Sequence, residues 1–345
     1  MHNRSWCWGW FGALLLACLP VGAAVPALPR MGADLSQTTV SGLSSGAFMA
    51  VQLQVAFSSR IAGVGVVAGG PYYCALNSVF FTWQCMGQNP LLPPNASLRA
   101  GFARDRAADG RIDPLEHLTA RRVYVYSGTR DNIVRPLAVD ATVAFFEEVG
   151  VPTAHLRYVN DIPSGHALIT TGQGRDCADN ASPYINHCQV QGQAYDQAGD
   201  LLTHLLGTLQ PPSAQAQGNL LKFRQRGFAP ASSSMAAAAY LYVPPACQPV
   251  GSRCRVHVAL HGCAQSVTKV GEVFLRDTGY NRWADTNRIL VLYPQVDALE
   301  PRNPQGCWDW WGYTDSRYAD KAGVQPRAIM AMVRRLGLRR PGDDF

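Results

Sequence analysis

Thr38-Thr39-Val40-Ser41-Gly42-Leu43-Ser44-Ser45-Gly46-Ala47 is a short β-branched run that turns at a serine into an apolar stretch reaching Phe57. Residues 42–46 fit the pattern G-x-S-x-G, and a strand before it with a helix after it is the context in which that pattern makes a nucleophile elbow. The turn is tight enough to strain the backbone of the serine, and glycines two residues to either side let strand and helix pass without Cβ clashes. Gly42 and Gly46 hold those places. The pentapeptide alone is a hypothesis, because a Ser/Gly-rich loop reads the same way.

Residues further along the chain change its weight. A serine hydroxyl needs a neutral imidazole to take its proton and a carboxylate to orient that imidazole. Asp131 lies past the run Val123 to Tyr126, in a loop at the carboxyl end of a strand, where sites form in open parallel sheets. His166 lies past the next run, Leu156 to Val159, within Pro163-Ser164-Gly165-His166. The order serine, aspartate, histidine is that of α/β-hydrolases. Asp161 is nearer to His166 in sequence but lacks the strand-end placement, so Asp131 is the expected acid and Asp161 the alternative. His155 and His257 lie in or beside expected strands and read as packing or surface residues; His117, His187 and His204 lie outside any such loop. For the oxyanion hole, Ser45 supplies one amide by its place after the nucleophile. The strand Val256 to Leu260 runs into His261-Gly262-Cys263, which makes the Cys263 amide the second candidate against an ordinary strand-to-helix turn.

Outward from this centre the chain alternates short apolar β-rich runs with helical stretches, a rhythm that implies an α/β fold with a parallel sheet covered by helices. A low-complexity patch, Pro211 to Gly218, interrupts it, yet strands resume at Ala239, Val256 and Ile289 and a last amphipathic helix lies near Ile329 to Leu336. No solenoid-length repeat is present. The 345 residues are 47% hydrophobic and 16% charged, enough for a large core and too apolar for general disorder. The formal charge of +6 is carried by scattered Lys and Arg, which excludes nucleic acid as the expected partner.

Residues 1–24 read as a signal peptide: His2 and Arg4, an apolar stretch from Phe11 to Leu19, then Gly22, Ala23 and Ala24, with cleavage near Ala24. That stretch is shorter than the ~20 apolar residues of a membrane span, and no later one reaches it, so no integral membrane segment is expected. A secreted or periplasmic location is the consequence, with lipid attachment at Cys18 as an alternative. Ten cysteines are many for a cytosolic chain, and eight remain once Cys7 and Cys18 leave with the signal. Four disulfides are the natural reading; spacing suggests Cys74 with Cys85, Cys177 with Cys188 and Cys247 with Cys254, leaving Cys263 for Cys307, though eight cysteines allow 105 connectivities. No C-x-x-C pair points to zinc, and neither metal nor cofactor is expected.

One order is unusual. In most α/β-hydrolases the H-G loop precedes the nucleophile, whereas here it comes almost a hundred residues after the histidine. Either the chain has two domains, or one fold is circularly permuted. Placing the second half first gives strands at Phe223, Tyr240, Val258, Leu290, Thr39, Val66, Val125 and Arg157, eight strands with one core. The expectation is therefore an α/β-hydrolase fold with a mostly parallel eight-stranded sheet and helices on both faces, permuted, with residues 25–345 as one catalytic domain and the splice near 210–219.

Ser41 to Ala47, the loop Gly128 to Val134, Ser164-Gly165-His166, Leu260 to Gln265 and Gln305-Gly306-Cys307-Trp308 together resemble the polyhydroxybutyrate depolymerases, and among them the single-domain exported type with a permuted catalytic domain. The resemblance spans nearly all of residues 36–340. It implies hydrolysis of poly(3-hydroxybutyrate) or its oligomers through an acyl-enzyme on Ser44, with Asp131 and His166 completing the triad and Ser45 and Cys263 forming the oxyanion hole. Motifs of the second half also occur in feruloyl and acetylxylan esterases, which keeps that activity as an alternative; a non-catalytic module adsorbing apolar polymer is a third. No separate polymer-binding domain is expected, so adsorption falls to the catalytic domain, acting as a monomer on a polyester or oligoester. If Cys307 pairs with Cys263, the cluster Trp308, Trp310, Trp311 and Tyr313 sits beside the oxyanion loop; Trp308, with Asn303, is the expected substrate subsite. Tyr72, Tyr73, Phe80, Phe81 and Trp83 are expected to add an apolar rim.

Overall fold

The computed structural model describes residues 24–249 and 251–339; the expected signal sequence, apart from Ala24, lies outside the described residues, as do Cys18 and its proposed lipid. Four strands come from the first half: β1 (Thr39–Leu43), β2 (Gly63–Val67), β3 (Arg122–Tyr126) and β4 (Leu156–Val159). Short strands come next, with β5 (Leu168–Thr170), β6 (Arg175–Asp176) and β7 (Ile185–His187) in one small sheet and β8 (Gln189–Val190) paired with β9 (Gln193–Ala194). The second half adds β10 (Asn219–Arg224), β11 (Ala238–Val243), β12 (Arg255–Leu260) and β13 (Ile289–Tyr293). The main sheet has eight strands in the order β10-β11-β13-β12-β1-β2-β3-β4. Only β11 runs against its neighbours β10 and β13; the other pairs are parallel.

Counted from β10, the spatial order is first, second, fourth, third, then fifth to eighth, which is the order expected when the second half is placed first. The two halves join through the parallel pair β1 and β12, with Val40 opposite Val258 and Gly42 opposite Leu260. All residues of β1, β2 and β13 are buried, as central strands must be when both faces of a parallel sheet are covered. The covers are α1 (Ser45–Ala56), α2 (Thr82–Cys85), α3 (Ala96–Ala108), α4 (Pro136–Glu148), α5 (Gln197–Leu206), α6 (Val267–Val270), α7 (Val273–Asp277), α8 (Tyr280–Asn287) and α9 (Val324–Gly337). α1 is buried along its whole length, consistent with a helix that is apolar on every side. None of the helices among the described residues is long and apolar enough to cross a membrane.

The patch 211–218 is irregular but held down. Ser213 N–H donates to the Arg282 carbonyl (3.0 Å), Gln217 N–H to Asp285 Oδ2 (2.8 Å) and Gly218 N–H to the Tyr242 hydroxyl (2.6 Å). Disulfides join Cys74 to Cys85, Cys177 to Cys188, Cys247 to Cys254 and Cys263 to Cys307, the pairs that spacing suggests.

Under the centre of the sheet His257 is fully buried between β1 and α8. Its Nδ1 lies 2.8 Å from Thr39 Oγ1 and its Nε2 2.9 Å from Ser41 Oγ, which also bonds the Tyr280 hydroxyl at 2.8 Å. Burial holds its pKa down to about 3, and that of the equally buried His261 down to about 4. A histidine kept neutral in the fold but free to protonate when unfolded makes the unfolded chain bind more protons, so stability falls as pH drops below 6.5 and continues to fall until the folded values are reached. Lowering pH from 7 to 5 is expected to remove about 3–4 kcal/mol through these two rings, less any gain from other groups. Urea unfolding at the two pH values, repeated with His257→Asn, checks it: a pH slope unchanged in the variant would exclude His257 as a source.

Candidate active site

Ser44 occupies the turn between β1 and α1 with φ 57° and ψ −122°, and its N–H is anchored on the Val67 carbonyl at 3.0 Å. Such a left-handed, off-basin backbone is costly for a residue with a Cβ and persists because the surroundings over-determine it. Those surroundings are close. A Cβ on Gly42 would lie 2.3 Å from the Gly46 carbonyl carbon, and one on Gly46 would lie 2.3 Å from the Leu260 oxygen. The strand-helix turn and the end of β12 thus pass backbone to backbone, and Gly262 is brought to where its own Cβ would sit 3.3 Å from Ser44 Cβ.

Asp131 and His166 are buried and paired: His166 Nδ1 donates to Asp131 Oδ2 at 2.7 Å. The other carboxylate oxygen accepts the N–H groups of Ile133 and Val134, both at 2.9 Å, which fixes the plane of the acid. Asp161 is exposed and makes no such contact. The acid and histidine loops are laced together. Arg130 N–H reaches the Ser164 carbonyl at 3.0 Å, and a Cβ on Gly128 would lie 2.2 Å from that same oxygen. Asn180, which sequence reasoning did not single out, joins both: its Oδ1 accepts from His166 N–H (2.9 Å) and Asn132 N–H (3.1 Å), and its Nδ2 donates to the Arg130 carbonyl (3.1 Å). A lone Asn in a short loop carries no pattern that would have revealed this. Tyr184 stands edge-on to the His166 ring, centroids 5.9 Å apart.

Ser44, Ser45, His166, Gly262 and Cys263 line one cavity of about 100 Å³ whose remaining wall is Leu43, Phe48, Met86, Ile133, Val134, Tyr184 and Trp310. No hydrogen bond joins Ser44 Oγ to His166 among the described residues; in unliganded sites this contact is often loose and tightens with substrate. Ser45 opens α1 and so has no intrahelical acceptor for its N–H. The Cys263 N–H likewise has no partner among the described residues. The two unpaired amides beside Ser44 at a helix N-terminus have the arrangement that an oxyanion hole requires.

The subsite expectation needs correction. Trp308 is 0% exposed and absent from the cavity wall. Its backbone N–H donates to Ser45 Oγ (3.3 Å) and the neighbouring Cys307 is tied to Cys263, so residues 307–308 are drawn behind the Cys263 wall of the cavity and the indole packs against His261, centroids 5.6 Å apart. Asn303 is buried too: its Nδ2 donates to the Cys307 carbonyl (2.9 Å), the Tyr313 hydroxyl (3.0 Å) and Ser234 Oγ (2.9 Å), and its Oδ1 accepts from Cys307 N–H (2.8 Å). It closes a turn and does not face the cavity. The ring that reaches the cavity is Trp310, stacked on Phe48 at 4.3 Å. Its loop is organised by the buried Asp309, whose carboxylate accepts the N–H groups of Gly312 (2.7 Å), Tyr313 (3.0 Å) and Thr314 (2.9 Å) while burial raises its pKa. Of the expected rim, Tyr72 is core and Tyr73 is covered by the Arg106 guanidinium, 3.5 Å above its ring. Phe80 (89% exposed), Trp83 (62%) and Phe81 do face solvent, with Val79, Leu91 and Leu92 beside them in sequence and also exposed. No group of three or more His, Cys, Asp or Glu among the described residues could hold a metal ion.

A sheet of this order, with a strained serine between strand and helix and a buried Asp–His pair at the carboxyl ends of the next strands, defines an α/β-hydrolase. Comparison with known proteins places the chain more narrowly. No family model matches it. It is 42% identical over 332 residues to a poly(3-hydroxybutyrate) depolymerase of Delftia acidovorans, covering 94% of this chain and 65% of that one, so it spans about two thirds of that relative's length. It is 34% identical over 342 residues to the polyhydroxybutyrate depolymerase of Talaromyces funiculosus, covering 94% and 96%. Two solved structures, the PHB depolymerase of Penicillium funiculosum and a PHB depolymerase complexed with an R3HB trimer, each superpose with a TM-score of 0.82 at 33% identity, over 91% of this chain and all of the other. The chain belongs to the polyhydroxybutyrate depolymerase family.

The backbone contact at Gly46 has no flexible side chain to yield, so Gly46→Ala is expected to cost about 2–3 kcal/mol through overpacking. Gly101, inside α3, would place a Cβ with nothing within 4 Å, and Gly101→Ala is expected to gain about 0.5–1 kcal/mol. Urea midpoints of the two variants test this; equal shifts of one sign would contradict the steric account.

Proposed function

We propose that the chain is an esterase that hydrolyses poly(3-hydroxybutyrate) or its oligomers. The observation that carries the reading is the buried 2.7 Å bond from His166 to Asp131 on the wall of the cavity that also holds Ser44 and the free Ser45 and Cys263 amides. Ser44 Oγ attacks the ester carbonyl while His166 Nε2 takes its proton, and Asp131 steadies the imidazolium without itself becoming protonated. The two amides receive the carbonyl oxygen as it gains charge. The intermediate collapses, His166 returns the proton to the departing hydroxyl end of the chain, and an acyl-enzyme remains on Ser44. Water, activated by the same imidazole, then releases the acid and restores the serine. A wall of Leu43, Phe48, Met86, Ile133, Val134 and Trp310 suits a substrate with short alkyl side groups and no charge. Four disulfides fit an oxidising compartment, and export is part of the proposal.

Contact with insoluble polymer falls in this reading to the exposed Phe80, Phe81 and Trp83, in the segment that leads to the cavity residue Met86. Rings on a surface that stays wet until polymer covers it contribute to adsorption and leave the chemistry at Ser44 alone.

Ser44→Ala is expected to lower turnover by several orders of magnitude with the fold intact, and a fluorophosphonate probe to label Ser44 alone; label on another serine ends the assignment. Asp131→Asn is expected to reduce kcat roughly 10⁴-fold, whereas Asp161→Asn leaves it near wild type. The reverse ranking would transfer the role to Asp161. The double variant Phe80→Ala, Trp83→Ala is expected to keep hydrolysis of a soluble aryl butyrate and to lose about tenfold or more in binding to polymer granules. Equal losses on both substrates would mean that these rings support the fold and not adsorption.

A further inference from the structure

We propose that His261 is a positioning residue of the oxyanion hole: its Nδ1–H holds the Gly262 carbonyl, and the planar peptide thereby aims the Cys263 N–H at the cavity beside Ser44. The inference rests on the reading of Cys263 as an oxyanion donor and adds the device that orients it.

His261 comes directly after the last residue of β12 and is fully buried, its ring set between Phe274 and Trp308 at 6.1 and 5.6 Å between centroids. Its two nitrogens have one partner each. Nε2 lies 3.1 Å from Val296 N, and a backbone amide can only donate, so Nε2 is the acceptor. Nδ1 lies 2.7 Å from the Gly262 oxygen, which can only accept, so Nδ1 carries the proton. One neutral tautomer satisfies both contacts. Burial holds the ring in that neutral state, with its pKa down at about 4.

The consequence comes from peptide geometry. In a trans peptide the C=O and the following N–H lie in one plane and point in opposite directions. Holding the Gly262 oxygen therefore fixes the direction of the Cys263 hydrogen. The preceding peptide is held as well, because Gly262 N–H donates to Gln265 Oε1 at 2.7 Å and Gln265 Nε2 donates to the Pro183 carbonyl at 2.8 Å. On the far side Ala264 N–H donates to the Gln305 carbonyl at 2.7 Å, and the Cys263 side chain is bonded to Cys307. The Gly262 N–H, the Gly262 carbonyl and the Ala264 N–H thus all have protein partners, and the Cys263 N–H between them does not. Glycine at 262 lets the backbone lie against Ser44, but it also leaves the peptide plane free to rotate, and the imidazole supplies the restraint that a glycine loop lacks.

Two variants separate positioning from mere support. His261→Asn places an amide N–H near the position of Nδ1, keeping a donor for the Gly262 carbonyl while leaving Val296 N–H unpaired. His261→Gln can still accept from Val296 N–H but offers no donor to Gly262. With a soluble aryl butyrate, His261→Gln is expected to lower kcat by about 10²-fold, the cost of a misplaced oxyanion donor, with KM little changed. His261→Asn is expected to keep most of the wild-type kcat, although both variants are expected to melt at a lower temperature than the wild type. Losses in kcat that track the loss of melting temperature in both variants, or a wild-type kcat in His261→Gln, would overturn the proposal. A measurement on the unaltered protein covers the case in which neither variant folds: ¹⁵N spectra of the histidine side chains should show His261 neutral with its proton on Nδ1, and a proton on Nε2 overturns the orientation argument. Fluorophosphonate labelling of the wild type at Ser44 distinguishes failures. If the label is at Ser44 and the variants behave otherwise than stated, only the role of His261 is lost; if the label is elsewhere, the reading of the site and this inference fall together.

Discussion

The approach of Gly46 to the end of β12 governs the molecule. A backbone-to-backbone contact of that closeness sets the strand-helix turn, and with it Ser44, against the loop that begins at His261. Because β12 comes from the second half of the chain and β1 from the first, this contact also brings Ser44 and the Cys263 amide together from residues more than two hundred positions apart. The opposite flank is set by the same logic. Gly128 lies against Ser164, so the acid loop and the histidine loop cannot separate without opening a close-packed seam. Missing side chains at three or four glycines, more than any added interaction, decide where the polar groups meet.

Much of this was legible in the sequence, for particular reasons. Ser44 and Asp131 each come soon after a buried apolar run, and such runs announce the carboxyl ends of strands directly, whereas the strand before His166 is half-exposed. The permuted order was legible because the eight runs make sense in only one spatial arrangement once the H-G loop is placed before the nucleophile. Pairing of the cysteines came from short spacings in three cases and from remainder in the fourth. Burial of individual rings was not legible. Trp308 and Trp310 are two residues apart beside a half-cystine, and nothing in their spacing tells which turns inward; the Trp308 backbone is held by the distant Ser45 Oγ, and the loop after it by the carboxylate of Asp309. Asn303 looks in sequence like a polar group available to substrate, yet its side-chain hydrogen bonds all go to buried protein partners, Cys307, Tyr313 and Ser234. The bridging roles of Asn180 and Gln265 are invisible at that level because a side chain that joins two loops has no local periodicity. α3 is equally hard to read: with three arginines and alternating small residues its pattern is weakly amphipathic.

The polar interior divides into two kinds. His257, Tyr280, Thr39 and Ser41 form a closed network that satisfies itself beneath the sheet centre. His261, Gln265 and Asp131 use one side of each group for internal bonds and so fix the orientation of a neighbour that faces the cavity. Both arrangements depend on full burial, where an unmet polar atom is costly. Only the second kind has a direction, and that direction is toward Ser44.

The seam between β1 and β12 has a consequence for the order of events during synthesis. Thr39 and His257, bonded across it, are 218 residues apart in sequence. A nascent chain that has passed residue 200 already carries Ser44, Asp131 and His166, yet β1 still lacks one of its two flanking strands and Ser44 has no amide beside it from the far loop. Contacts of such separation form late, because loop closure comes before any gain from them. The ribosome must deliver residues 39–263 before the Cys263 amide can meet Ser44, and for that interval the growing chain remains extendable and without its completed cavity.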